Sequence, residues 1–213
     1  MWTPPSLLGK KFLADNQHQH PVVQVILDKI STPAGQAVDT HLPKLSIQPL
    51  KFALTGCGRI ARDVHIPVLR RLPGVQLVAA ADPQAEALDA TRRIAPGCAV
   101  FHSQDEMLDA VEADAVIIAA PSAEHAELAC QAFARRKHVY LEKPIATSLE
   151  EARQVVAAWR KAGVVAMPGF NYRFHALVRE LRRLIENDRI GALLAARTTF
   201  SIAACASASW RAS

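Results

Sequence analysis

Cysteine is scarce, and what there is does not cluster. The 213 residues hold four, Cys57, Cys98, Cys130 and Cys205, far apart and never in a Cys-x-x-Cys pair. Zinc sites and disulfide frameworks need thiols in register. Free thiols in a reducing cytoplasm are therefore expected. Aromatics make up only 6% of the chain, and no basic run extends beyond Arg135-Arg136-Lys137. A nucleic-acid surface gathers Lys and Arg, often with stacking rings, so the net charge of +5, spread along the chain, does not point to one. No apolar run approaches the ~20 residues that span a bilayer. No basic start leads into an apolar signal core. Neither a nucleic-acid nor a membrane partner is expected. Half the residues are apolar and 21% are charged, as in a soluble globular protein. The length suits one large domain, or one domain and part of another.

Residues 1–50 are expected to be mostly irregular, although the apolar run Val22–Ile30 suits a short helix or strand. Residues 1–50 carry Pro4-Pro5, Pro21, Pro33, Pro43 and Pro49, which interrupt helices and sheet ladders. They read as an irregular extension. His18 and His20 read as solvated histidines in a flexible arm, so no metal site is expected. From Lys51 the rhythm is strand, helix, strand, helix. Strands are predicted at Phe52–Leu54, Val75–Ala81, Ala99–Phe101, Ala115–Ala120, His138–Leu141 and Val164–Met167. Helices are predicted at Ile60–Arg71 with a break or kink at Pro67, Gln84–Ile94, after Ser103, Ala123–Arg135 and Ser148–Lys161. Ser103 and Glu106 have capping-box spacing. The continuously apolar Ala115–Ala120 suits a strand buried on both faces. Such alternation implies a parallel sheet with right-handed crossovers. Beyond it, an amphipathic helix with Leu177, Val178, Leu181, Leu184 and Ile185 on one side is closed by Gly191. A strand is predicted at Leu193–Ile202.

Three places carry chemistry. Gly56-x-Gly58-x-x-Ala61 follows a short apolar strand and opens a helix. A dinucleotide pyrophosphate needs this layout: a tight turn, close backbone approach, and a small residue where helix and strand pack. The anion then meets unpaired N–H groups at the helix start. Asp82 ends the second strand, where a carboxylate accepts hydrogen bonds from an adenine ribose and repels a 2′-phosphate. The alternative is a turn aspartate before Pro83. Glu142-Lys143-Pro144 follows the fifth strand, and ligands of parallel sheets bind beyond the carboxyl ends of the strands. A lysine there can orient a hydroxyl or move its proton. The alternative is a surface ion pair.

These segments, with Ala120-Pro121-Ser122-Ala123-Glu124-His125 and Gly169-Phe170-Asn171-Tyr172-Arg173-Phe174, stand in the order of one family. The chain resembles the Gfo/Idh/MocA oxidoreductases over roughly Lys51 to Ile202, and Glu142-Lys143-Pro144 is the most specific element. The resemblance implies an α/β fold: a Rossmann doubly wound parallel sheet over 51–168, then, over 169–213, the start of an incomplete α+β domain. It implies an NAD cofactor, with NADP possible. Gly56, Cys57, Gly58, Arg59 and Ile60 would hold the pyrophosphate and Asp82 the adenine ribose. Pro121, Ser122 and His125 would line the nicotinamide side, unless His125 only makes a local bond at its helix start. Glu142 and Lys143 would sit near the nicotinamide ribose and substrate, with Lys143 catalytic. Asn171 and Arg173 would lie near the cofactor–substrate junction, although Arg173 also suits a structural ion pair.

Complete members would be homo-oligomers acting on a sugar or polyol. Their glycine-rich stretch with an aspartate and a catalytic histidine has no counterpart, since no histidine follows His175. The expectation is a truncated, impaired oxidoreductase, with a non-catalytic NAD(P)-binding module as the alternative. Short-chain dehydrogenases fit less well, because Tyr140 and Lys143 are spaced Tyr-x-x-Lys rather than Tyr-x-x-x-Lys. A methyltransferase would leave Glu142-Lys143-Pro144 unexplained.

Overall fold

The structure, a computed structural model, describes residues 48–197. Six strands form one parallel sheet: β1 (Leu50–Thr55), β2 (Val75–Ala81), β3 (Ala99–Phe101), β4 (Ala115–Ile118), β5 (His138–Leu141) and β6 (Ala166–Pro168). Their order is β3-β2-β1-β4-β5-β6, the doubly wound arrangement with its switch point between β1 and β4. Helix α1 combines a π turn, Ala61–His65, with an α turn, Ile66–Leu69. Then come α2 (Ala85–Ile94), α3 (Gln104–Ala110), α4 (His125–Ala134) and α5 (Leu149–Ala162).

Strand periodicity divides the core. Ala53, Ala79, Ala81, Val116, Ile118, Val139 and Leu141 join Met107 of α3, Phe133 of α4 and Val155 of α5 in one cluster. Residues of opposite parity, such as Phe52, Leu54 and Ala80, are also buried, as are Ile66 and Leu69 of α1 and Leu88 of α2. Each such large apolar side chain contributes about 1.5–3 kcal/mol on burial. The run of small residues Ala79-Ala80-Ala81 lets backbone and helices approach β2 closely.

Several boundaries differ from the sequence expectation, each for a local reason. Pro67 does not break the helix: it falls in the first turn of the α segment, where its missing N–H is harmless. The irregularity lies upstream, where the Ile66 N–H reaches back to the Ala61 carbonyl in a π turn. β4 stops at Ile118 rather than Ala120, because β1 and β5 leave the sheet at Gly56 and Glu142. A short 3₁₀ turn, Ser122–Glu124, precedes α4. β6 starts late, since the Val164 carbonyl takes the Trp159 indole N–H and the Val165 N–H goes to His138 Nδ1. Ser103 caps α3, but Glu106 reaches back to the His102 N–H, so the box is only half formed. Ser148 and Glu151 do form a full capping box on α5, and Gly163 ends that helix at φ 65°.

The chain divides into two compact units between Phe170 and Asn171. The second holds a 3₁₀ turn, Asn171–Phe174, and α6 (Ala176–Glu186), whose side Leu177, Val178, Leu181 and Ile185 is exposed. α6 ends at its cap Asn187, before Gly191. Residues 193–197 form no strand; the rest of the strand expected at Leu193–Ile202, and nearly all of the 1–50 extension, lie outside the described residues.

Candidate functional site

The site is built at the carboxyl ends of β1, β2, β4 and β5. Gly56 turns the chain out of β1 at φ 87°, and a Cβ there would lie 2.5 Å from the Ala119 carbonyl carbon and the Ala120 nitrogen. Only glycine allows β1 to end this close to the end of β4. The Gly56 N–H donates to the Ala81 carbonyl at 2.9 Å. Cys57 is buried, and its N–H donates to Asp82 Oδ2 at 2.8 Å. Burial pushes its thiol pKa up, so Cys57 fills the corner as an inert small apolar group.

Gly58 differs from Gly56. Its φ is not left-handed, and a Cβ on it would meet nothing within 4 Å. The fold itself does not demand glycine there. The N–H groups of Gly58, Arg59 and Ile60 donate to no described residue. A patch of unpaired N–H groups beside a glycine with open space over it suits an approaching pyrophosphate. Ile60 is 43% exposed, and Arg59 is exposed with only a 4.0 Å contact to Asp63.

Asp82 follows β2 beside this corner. Its Oδ1 accepts from the Gln84 N–H at 2.9 Å, while Oδ2 holds Cys57. It therefore shapes the corner, and each oxygen keeps a further lone pair for a ribose hydroxyl.

The loop after β4 carries Pro121, exposed, and Ser122, half-buried. His125 is 1% exposed, and both ring nitrogens face carbonyl oxygens: Nδ1 lies 2.6 Å from Pro144 O and Nε2 2.9 Å from Ala120 O. Its ring thus ties the loop after β4 to the loop after β5. That is the local-bond role weighed for it, extended across two loops.

Glu142 leaves β5 with its N–H on the Ile118 carbonyl. Its Oε1 accepts from His65 Nε2 at 3.0 Å and its Oε2 from the Lys143 N–H at 3.2 Å. Burial alone would raise its pKa. The hydrogen bond and electrostatic pull of His65, with the Lys143 N–H and Tyr140, outweigh burial and hold it below the ordinary carboxylate value. The surface-pair alternative for Glu142 does not describe it, since its partner is His65 rather than Lys143. Lys143 is exposed, its ammonium pairs with no described residue, and its peptide to Pro144 is cis.

Gly56, Cys57, Gly58, Arg59, Ile60, Asp82, Pro121, Ser122, His125, Glu142 and Lys143 thus share one edge of the first unit. Asn171 and Arg173 stand on the opening turn of the second unit, both exposed. Sequence reasoning missed His65. Its signal was present: Ala61, His65 and Leu69 share the inner face of the helix that leaves the glycine turn. Among the described residues no group of His, Cys, Asp and Glu is placed to hold a metal, and no helix is long and apolar enough to cross a membrane.

A doubly wound sheet with a glycine corner at its switch point, an acid after β2 and an acid–lysine pair after β5 defines a dinucleotide-binding α/β domain. The chain belongs to the GFO_IDH_MocA oxidoreductase family, with an NAD-binding Rossmann fold, whose sequence model matches residues 50–170. It is 35% identical over 150 residues to glucose-6-phosphate 3-dehydrogenase of Bacillus subtilis, covering 70% of this chain and 42% of that protein. The WlbA dehydrogenase of Chromobacterium violaceum, solved with NADH and UDP-GlcNAcA, superposes with a TM-score of 0.65 at 30% identity, over 72% of this chain and 44% of the other. A scyllo-inositol dehydrogenase from Lactobacillus casei, solved with NAD(H) and scyllo-inositol, gives 0.63 at 27% identity, over 67% and 42%. The chain spans less than half the length of these relatives.

Proposed function

We propose that this chain supplies the cofactor half of an NAD-dependent dehydrogenase that oxidises a secondary alcohol of a sugar or polyol. The observation that carries the reading is the convergence of the open Gly58 corner, Asp82 and the Glu142–Lys143 loop on one sheet edge. When bound, the nicotinamide supplies the hydride acceptor. The protein's own residues do the rest. The Gly58–Ile60 N–H groups, with Gly56 and Cys57 shaping the turn, bind the pyrophosphate. Asp82 accepts from the adenine ribose and disfavours a 2′-phosphate, so NAD is preferred to NADP. Pro121, Ser122 and Glu142 line the nicotinamide side, and the buried His125 ties together the two loops that carry them. Lys143 orients the hydroxyl or takes its proton. Asn171 and Arg173, exposed on the opening turn of the second unit, are assigned to substrate contact by the family resemblance.

A sugar or polyol substrate is supported by relatives named for glucose 6-phosphate and inositol. Unpaired thiols at Cys57, Cys98 and Cys130 support a cytoplasmic setting. Turnover by these residues alone is expected to be weak, because Lys143 is the one base this reading names and its ammonium has no described partner to tune it.

Calorimetry with NAD and NADP, followed by absorbance of reduced cofactor with a panel of sugars and inositols, tests the reading. NAD binding stronger than NADP binding, with slow turnover of a polyol, is the expected result. Binding without any turnover would make the chain a non-catalytic NAD module. Failure to bind either nucleotide would overturn both.

A further inference from the structure

His65 lies outside the residues that bind or react in the reading above, yet it makes a largely buried polar contact at the site. The side chains of His65 and Glu142 are 8% and 16% exposed, and Nε2 meets Oε1 at 3.0 Å. The imidazole packs edge-on against Tyr140, with centroids 5.4 Å apart. The Tyr140 hydroxyl makes a longer contact, 3.4 Å, to the same Glu142 oxygen. Behind the carboxylate, a Cβ on Gly169 would come within 3.0 Å of Oε2 and 3.2 Å of Glu142 Cα. Glu142 is therefore held from β5, from its own loop, from Gly169 and from α1.

The connectivity gives this contact its meaning. α1 grows directly from the glycine corner after β1, whereas Glu142 follows β5, and β4 lies between the two strands. The His65–Glu142 bond bridges the end of β4. His65 is also the last residue of the π turn. A π turn holds an extra residue and re-aims the side chains at its end, and such turns gather at functional sites. Lys143 itself has no described side-chain partner, so its place is set by its backbone, whose N–H is fixed to Glu142 Oε2.

We propose that His65 is a positioning residue that couples the pyrophosphate corner to Lys143: by gripping Glu142 it makes the helix that receives the phosphates and the loop that carries the lysine one mechanical unit. The cofactor part of this inference rests on the function proposed above. The titratable groups that face Glu142 are His65 from α1 and Tyr140 from β5, with Lys143 reaching it through its backbone N–H.

The test uses the whole chain and four variants. His65→Leu removes the bond. His65→Gln keeps a donor of similar reach. Leu88→Ala cuts the buried core in α2, away from the site, and controls for lost stability. Glu142→Gln assigns the Glu142 carboxyl signal in carbon-detected NMR. NADH affinity is read by fluorescence, and the Glu142 titration by NMR without cofactor.

His65→Leu is expected to weaken NADH binding by about fivefold or more, the size of a coupling between linked sites, and to move the Glu142 titration upward. His65→Gln is expected to recover most of the affinity. Leu88→Ala is expected to lower the melting temperature and leave affinity and titration alone. Unchanged NADH affinity in His65→Leu would overturn the proposal, as would an equal loss in Leu88→Ala. If His65→Leu does not fold, His65→Asn, too short to reach Glu142, takes its place with the same expectations. If the parent chain itself binds no NADH, the function proposed above fails. The grip on Glu142 is then decided by the titration: an upward move in His65→Leu supports it, and an unmoved titration overturns it.

Discussion

The two glycines of the corner should fail in opposite ways when each is replaced by alanine. At Gly56 the new Cβ faces two obstacles. The backbone sits at φ 87°, and the methyl would stand 2.5 Å from Ala119 C and Ala120 N and 2.6 Å from Ala119 O. Left-handed backbone costs a non-glycine residue about 1–2 kcal/mol. Forcing an extra carbon into packed backbone costs about 1–3 kcal/mol more. None of these neighbours is a flexible side-chain tip, so relaxation requires β1 and β4 to part. The sum is roughly 2–5 kcal/mol, and at roughly 2–4 °C per kcal/mol for a domain of this size the melting temperature should fall by roughly 4–20 °C.

At Gly58 neither obstacle exists, since nothing lies within 4 Å and φ is not left-handed. Alanine there should leave the melting temperature unchanged or raise it slightly, by roughly 0.4–1 kcal/mol of reduced unfolded-state entropy. Its methyl would instead occupy the open space proposed above for the pyrophosphate. NAD affinity should drop by about tenfold or more, about 1.4 kcal/mol. Differential scanning fluorimetry and NADH fluorescence titration on Gly56→Ala and Gly58→Ala separate the two roles. A Gly58→Ala chain that binds NADH as tightly as the parent would refute the cradle reasoning. A Gly56→Ala chain that melts with the parent would refute the close-approach reasoning.

Asp82→Ala strips the partner from the buried Cys57 N–H, an unpaired donor costing about 1–3 kcal/mol, and removes the charge proposed above to oppose a 2′-phosphate. NAD should bind more weakly and the NAD-to-NADP affinity ratio should shrink, as measured by calorimetry; an unchanged ratio would remove Asp82 from cofactor choice. Ser148→Ala breaks the capping box on α5 and should lower stability by about 1 kcal/mol in a denaturant melt, with no change in nucleotide affinity. Glu142 has a folded pKa below its ordinary value, so its contribution is complete above the ordinary carboxylate range and is lost as pH falls through the depressed folded value. Acid melts should therefore show a shallower decline for Glu142→Gln than for the parent; parallel curves would mean that the carboxylate adds nothing to stability.

The sheet was legible because its signals are redundant. Ala115–Ile118 is apolar throughout and lies between β1 and β5, buried at every position. The helix expected from Ser148 begins at that residue's cap and ends at Gly163, both by local chemistry. Boundaries were legible only where local chemistry decides them. β4 ends because its neighbours turn away, and β6 begins late because Trp159 and His138 take the groups that would have extended the ladder. Neither event is written in the strand's own residues. The π turn before Pro67 is of the same kind: proline signals an irregularity but not on which side of itself the helix adjusts.

The site shows the same division at the level of single side chains. Gly56 and Gly58 look alike in sequence, yet one is required by a neighbouring strand and the other by nothing among the described residues, which is why only the second points to a ligand. Glu142 and Lys143 are adjacent and opposite in charge, and pairing them is the natural reading. The fold separates them: Glu142 turns inward to His65, and the lysine is left to reach outward from a fixed backbone. A buried acid that lost its partner would be neutralised or would move. Glu142 pairs with a histidine from the opposite side of β4, and pairing of that kind is set by topology rather than by spacing along the chain.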